Sequence, residues 1–355
     1  MTDINRRTFN KTLAAALGAA AMPLPAWAQS ARKLHIGHTG ITWPGTLGRR
    51  GGAGAPGAPG AAPGAAGAPG GGGGGRARGA GGDMAMMGVA SGPPVDAAQI
   101  ENIVRDVSEL GFWGVELFGN AVAGLEAQGG VGQLLAKYNN LPLIAIVASP
   151  SIGDADRLKA SIATMVSQAT VAKKYGCRIV LMNASGGRRD ASFDFNANKS
   201  TIVNSLNEAS KAIADLGMQA VLHQHTGTMV EKRDEVYAVM EAVDTRVVRA
   251  GFDVGQLQKG GADPLPIVKD FLPVIEHLHL KDWDGGPNWA EYTPLGMGKV
   301  DLKGIMDLME TKTTPMKGLV MVELDGGGAN APMPARQTAE TAKAYLQKLG
   351  YQFRA

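Results

Sequence analysis

Val274-Ile-Glu-His-Leu-His-Leu280 is the stretch that decides the fold. Its β-branched and leucine content marks a short buried strand, and the i, i+2 spacing of His277 and His279 puts both imidazoles on one face. Upstream, Gln219-Ala-Val-Leu-His223 runs into Gln224-His225 with the same spacing. His35 and His38 complete a set of three pairs that accounts for all six histidines. Asp253 ends Val248-Arg-Ala-Gly-Phe-Asp253, and Glu323 sits near the end of Gly318-Leu-Val-Met-Val-Glu-Leu324. Imidazoles and carboxylates gathered at strand ends form an N/O donor set suited to one divalent metal.

Working outward, eight strand-like runs recur: Leu34–His38, Gly114–Phe118, Leu143–Val147, Arg178–Asn183, Gln219–His223, Val248–Asp253, Val274–Leu280 and Gly318–Leu324. Helix-period segments lie between them, among them Ala98–Leu110, Ala155–Tyr175, Ile202–Leu216, Arg233–Ala242 and Ala335–Leu349. Gly111, Gly176, Gly217 and Gly350 close four of these. Short buried strands alternating with helices imply a parallel sheet, and eight units in about 260 residues imply an α/β fold of the (β/α)8 TIM barrel type. A doubly wound open sheet is the alternative, but no compact Gly-rich phosphate loop follows the first strand. In a barrel the chemistry sits at the C-terminal strand ends, where His38, Glu116, Asn183, His223, His225, Asp253, His279 and Glu323 fall.

Residues 1–28 read as a twin-arginine export signal. Arg6-Arg7 precede an Ala/Leu run too short and Pro-interrupted to span a membrane, and Ala26-Trp27-Ala28 supplies a cleavage site. The expected mature chain, 29–355, is a single domain in the periplasm, delivered by the Tat machinery without a stable membrane anchor. Cys177 is the only cysteine, so the domain does not depend on an internal disulfide. The full chain carries a formal net charge of +3. Losing Arg6, Arg7, Lys11 and Asp3 with the leader brings it near +1, which gives no reason to expect nucleic acid. Residues 45–92 are Gly/Ala/Pro repeats with too little apolar side chain to order themselves, and form a disordered insertion in the first βα loop.

The ordered motifs Leu222-His-Gln-His-Thr-Gly-Thr228, Phe252-Asp-Val-Gly-Gln256, Gly260-Gly-Ala-Asp-Pro264, His277-Leu-His-Leu-Lys-Asp-Trp283, Pro294-Leu-Gly-Met-Gly298 and Val322-Glu-Leu-Asp325 resemble the xylose isomerase-like TIM-barrel superfamily. The likeness is nearest to its sugar phosphate isomerase/epimerase and inosose dehydratase branch and spans Lys33 to Leu349. It implies one divalent ion, manganese foremost with Co, Zn, Mg or Fe admissible, on His223, Asp253, His279 and Glu323. His223 stands where relatives commonly have Glu, which leaves open whether His223 or His225 touches the ion, and Gln256 stands where many have His.

The expected activity is a sugar isomerase or epimerase that abstracts an α-proton and passes through an enediolate on a sugar, keto-sugar or cyclitol. A lyase or dehydratase on 3-keto-glycosides or inosose-like substrates, and a non-catalytic periplasmic sugar-binding barrel, are the alternatives. An endonuclease IV-like nuclease would need more metal ligands and a basic face. Glu116 is placed to be the base or, equally, a structural carboxylate. His225 joins it as a catalytic candidate. Lys281 could bind an oxyanion, or pair with Asp282, Asp253 or Glu116. Trp43, Trp283 and Trp289 stack on sugar or close the barrel top, while His35 and His277 read as structural. A homo-oligomer is compatible with all of this.

Overall fold

The eight expected strands close on themselves. In the computed structural model, which describes residues 32–43, 96–186, 189–286, 291–312, 320–325 and 333–355, they are β1 Ile36–Thr39, β2 Val115–Phe118, β3 Leu143–Val147, β4 Ile179–Asn183, β5 Gln219–His223, β6 Val248–Asp253, β7 Ile275–Leu280 and β10 Val320–Val322. Each pairs in parallel with the next, and β10 pairs with both β7 and β1, giving a closed barrel. The short strands β8 Asp282–Trp283 and β9 Tyr292–Thr293 form an antiparallel ribbon directly after β7. The twin-arginine segment, the 45–92 stretch and Trp289 lie outside the described residues.

The helices are α1 Ala97–Glu109, α2 Gly119–Ala127, α3 Val131–Lys137, α4 Ala155–Lys173, α5 Phe195–Asp215, α6 Arg233–Met240, α7 Val254–Lys259, α8 Pro264–Phe271, α9 Leu302–Glu310 and α10 Ala335–Lys348. Asp96, Asp154 and Asp194 cap α1, α4 and α5 by accepting backbone N–H groups of the first turn, which satisfies donors the helix cannot reach. Three strands match the sequence reading residue for residue; β2, β4 and β7 start one residue later than expected, β1 starts two later and runs one further to Thr39, and β10 ends two residues early at Val322. Five helices escaped the sequence reading: α2, α3, α7, α8 and α9. Two of them, α2 and α7, begin on the residue after a strand and leave no loop composition to flag them.

Apolar side chains of strands and helices interlock into one large core. Ile36, Val115, Val180, Leu222, Phe252 and Leu278 are completely buried. Its first and last elements are tied together. The Lys33 N–H donates to the Glu310 carboxylate at 3.1 Å, Arg336 reaches Asp106 at 2.9 Å, and Leu324 N–H donates to Thr42 Oγ1 at 3.1 Å. At the end of α1, Gly111 holds φ +77° while its carbonyl accepts from Arg354 N–H at 2.7 Å. A Cβ there would meet the Arg354 carbonyl. Gly111→Ala is therefore expected to cost about 1–2 kcal/mol, a fall of roughly 3–6 °C in thermal unfolding.

Candidate metal centre

Asp253 ends β6 and also caps α7. Its Oδ1 accepts the Gln256 N–H at 2.9 Å, which turns Oδ2 into the barrel. There Oδ2 lies 2.8 Å from Lys281 Nζ and 3.9 Å from His223 Nε2. On neighbouring β5, His223 has its Nδ1 2.9 Å from the Gly251 carbonyl. A carbonyl only accepts, so Nδ1 carries the proton and the Nε2 lone pair faces Asp253, the tautomer a metal ligand needs. His279, on β7, is clamped between two carboxylates: Nε2 lies 3.0 Å from Glu116 Oε1, and Nδ1 lies 2.7 Å from Glu323 Oε2.

Ligand atoms of His223, Asp253 and His279 come within 4.8 Å of one another, and all three residues are buried. Glu116, His277 and His279 make a second such group one layer deeper. Two imidazoles and two carboxylates fit a borderline divalent ion. Asp253 Oδ2 is buried, and the Lys281 ammonium 2.8 Å away is its counter-charge.

The electrostatics agree with tight coupling. Burial alone would drive Glu116 up, but His279 and His277 hold its carboxyl down at about 2. Burial alone would drive His279 down, but Glu116 and Glu323 hold it well above the usual imidazole value. Burial, helped by the nearby His279, takes His223 well below that value, so it presents the neutral ring that binds metal.

The remaining expected residues fall around this core. His225 Nδ1 faces the Thr226 carbonyl at 2.7 Å, so its Nε2 is the acceptor, and the Gln256 amide donates to it at 2.6 Å. Gln256 Oε1 in turn accepts from Thr226 N and Oγ1. His225 is thus held beside the group rather than inside it, its ring 6.1 Å from that of His223. Lys281, fully buried, contacts Asp253, Glu323 and Asp325, and neither Glu116 nor Asp282. His277 donates toward Glu116 Oε2 at 2.7 Å and so orients it.

His38 lies at a strand end as expected, yet it packs edge-on against Phe112 and Trp43. His35 stacks on Trp113. Trp43 donates to Asp106 of α1, and Trp283 to Glu291. Sequence reasoning overlooked Asp325, which meets both Lys281 at 3.1 Å and Gln256 at 3.4 Å. The available signal was its i, i+2 spacing from Glu323 at the same strand end.

A cleft opens beside the group. Glu116, Asn183, His223, His225, His279 and Glu323 line it. Its lining also includes the apolar residues Ile41, Ile100, Ile103, Leu117 and Phe118.

Residues 104–349 match the profile of the family described as xylose isomerase-like TIM barrel. The chain belongs to that family. The inosose dehydratase of Clostridium botulinum (strain Alaska E43 / Type E3) is 36% identical to this xylose isomerase-like barrel over 152 residues, covering 38% of this chain and 50% of the relative. The chain spans about half the length of the curated relatives it matches. Among solved structures, the IOLI protein with a binding zinc atom gives a TM-score of 0.59 at 16% identity, covering 72% of this chain and 94% of that one. The 3-keto-D-glucoside 4-epimerase YcjR from E. coli gives 0.55 at 16%, covering 70% and 93%. These two likenesses show the fold.

Proposed function

We propose that this chain is a divalent-metal-dependent enzyme that moves a proton next to the carbonyl of a sugar, keto-sugar or cyclitol, with isomerisation or epimerisation as the outcome. The observation that carries this reading is the convergence of His223, Asp253 and His279 ligand atoms within 4.8 Å, beside Glu323, at the floor of an open cleft. His223, Asp253, His279 and Glu323 would hold the ion, manganese first, with zinc equally suited to the donor set. When bound, the ion supplies Lewis-acid stabilisation of negative charge on a substrate oxygen.

The chain's own groups do the rest. His225, an acceptor at Nε2 and exposed to the cleft, is the candidate to take the proton, and the Gln256 amide keeps its ring in place until substrate arrives. Glu116, ionised and shared between His277 and His279, fixes the His279 ring. The apolar lining of the cleft, Ile41, Ile100, Ile103, Leu117 and Phe118, would limit the water around a bound substrate.

Elimination of water from an inosose-like or 3-keto substrate is the second reading, favoured by the identity to inosose dehydratase. Export through the Tat machinery to the periplasm belongs to the same proposal, resting on Arg6-Arg7 and the Ala-Trp-Ala site. It points to unphosphorylated substrates.

The test is α-proton exchange in D₂O over a panel of keto-sugars and inososes. Chelator-treated protein should lose exchange, and Mn²⁺ or Zn²⁺ should restore it. Sugar binding that persists in EDTA, with no exchange by the loaded protein on any substrate, would leave a non-catalytic binding barrel.

A further inference from the structure

Lys281 is fully buried in a family whose centre is expected to hold a cation of its own. Its Nζ lies 2.8 Å from Asp253 Oδ2, touches Glu323 Oε1 and lies 3.1 Å from Asp325 Oδ2. The other oxygen of each ligand carboxylate is already engaged: Asp253 Oδ1 by the Gln256 N–H, and Glu323 Oε2 by His279 Nδ1. No carboxylate oxygen of Asp253 or Glu323 is left over. An ion that binds either residue through these oxygens must share them with the ammonium or push it aside.

The lysine is poorly placed to retreat. Its stem packs so tightly against Gly255 of α7 that a Cβ there would overlap Lys281 Cβ and Cγ. The Tyr292 ring covers the head, its centroid 4.7 Å from Nζ. Glycine at position 255 therefore makes room for this side chain, and the α7 turn and the β8–β9 ribbon hold it against the carboxylates.

We propose that Lys281 is a built-in competitor of the metal, holding the carboxylate oxygens a divalent ion would take and thereby setting how tightly the ion binds. The proposal rests on the metal reading given above. In the ion-free protein the ammonium offsets repulsion among Asp253, Glu323 and Asp325; in the loaded protein its charge opposes the ion across a few ångströms of low-dielectric interior. The result is a centre that keeps its shape without metal and binds metal less tightly than its donor set alone would allow.

Zn²⁺ titrated calorimetrically into chelator-treated full-length protein tests this. Lys281→Gln and Lys281→Met should bind Zn²⁺ at least about tenfold more tightly than the unmodified protein, while Lys281→Arg, which keeps the charge, should stay within about threefold. Mere structural damage would weaken binding, so the sign separates the two. Equal or weaker binding by a folded neutral variant overturns the proposal. If neither neutral variant folds, a crystal structure of the unmodified protein with Zn²⁺ decides. Lys281 Nζ within salt-bridge distance of the carboxylates that ligate Zn²⁺ supports it, and Zn²⁺ bound without Asp253 and Glu323 overturns it. Failure of the unmodified protein to bind Zn²⁺ at all would instead count against the metal reading.

Discussion

Replacement of His279 by alanine is expected to abolish metal binding and, with it, proton exchange. His279 ties the centre together, meeting Glu116 through Nε2, Glu323 through Nδ1, and His223 ring to ring at 4.6 Å. Removing the imidazole deletes one candidate ligand and also one of the contacts that hold Glu323, a second. Disturbing a residue that merely orients a ligand costs about 10–100-fold in metal affinity or activity; loss of a ligand together with such an orienting contact should exceed the upper figure. Elemental analysis of protein purified without chelator is the check: about one ion per chain falling to background in His279→Ala. Retention of a full equivalent would place the ion elsewhere, because both candidate groups contain His279.

The second large effect concerns stability. Glu116→Gln keeps the shape of the side chain and removes its charge, leaving His277 and the His279 imidazolium buried without their shared counter-ion. Breaking a buried pair from one side costs about 3–5 kcal/mol, or roughly 10 °C in a domain of this size.

The pH dependence of the ion-free protein fixes the sign. Glu116 is depressed from 4.5 to about 2. Its contribution is therefore present above the unfolded value and lost as pH falls from about 4.5 through about 2, a loss on the order of 3 kcal/mol. His279 is raised, so its share is complete below its unfolded value near 6.5 and fades as pH rises through its elevated folded value. The stability difference between the unmodified protein and Glu116→Gln should be largest between about pH 4.5 and 6.5 and close toward pH 2. A difference that stays constant from pH 6 to 2 would show that the charge of Glu116 contributes nothing to stability.

The barrel was legible because its strands are buried on both faces and read as short apolar runs between helical periods. The candidate centre was legible because a polar residue at the end of such a run has few other reasons to be there. The rest is set by contacts sequence spacing cannot supply. The preference for His223 over His225 as the candidate ligand rests on the Gln256 amide, which occupies His225 Nε2, and on the approach of His223 to Asp253 and His279. The surroundings of His38 are decided by Phe112 and Trp43, far along the chain or across a turn. Lys281 was readable as a charged residue at a strand end, but three carboxylates from two strands fix its direction.

The closing strand β10 gives the molecule an order of events. It completes the ring by pairing with β7 and β1, and the residue immediately after it is Glu323, whose N–H bonds the Leu280 carbonyl at 2.9 Å. The partners brought together at this seam stand up to 282 residues apart, so closing the ring carries a large loop-closure entropy cost. Until that strand docks there is no fourth ligand for the centre, no partner for His279 Nδ1 and only part of the clamp on Lys281. A chain that ends before Val320 lacks both the closing strand and Glu323, and so lacks the complete centre. If the chain binds the ion proposed above, its uptake would be a timestamp for the finished fold, reporting in a single observable that the last strand has arrived.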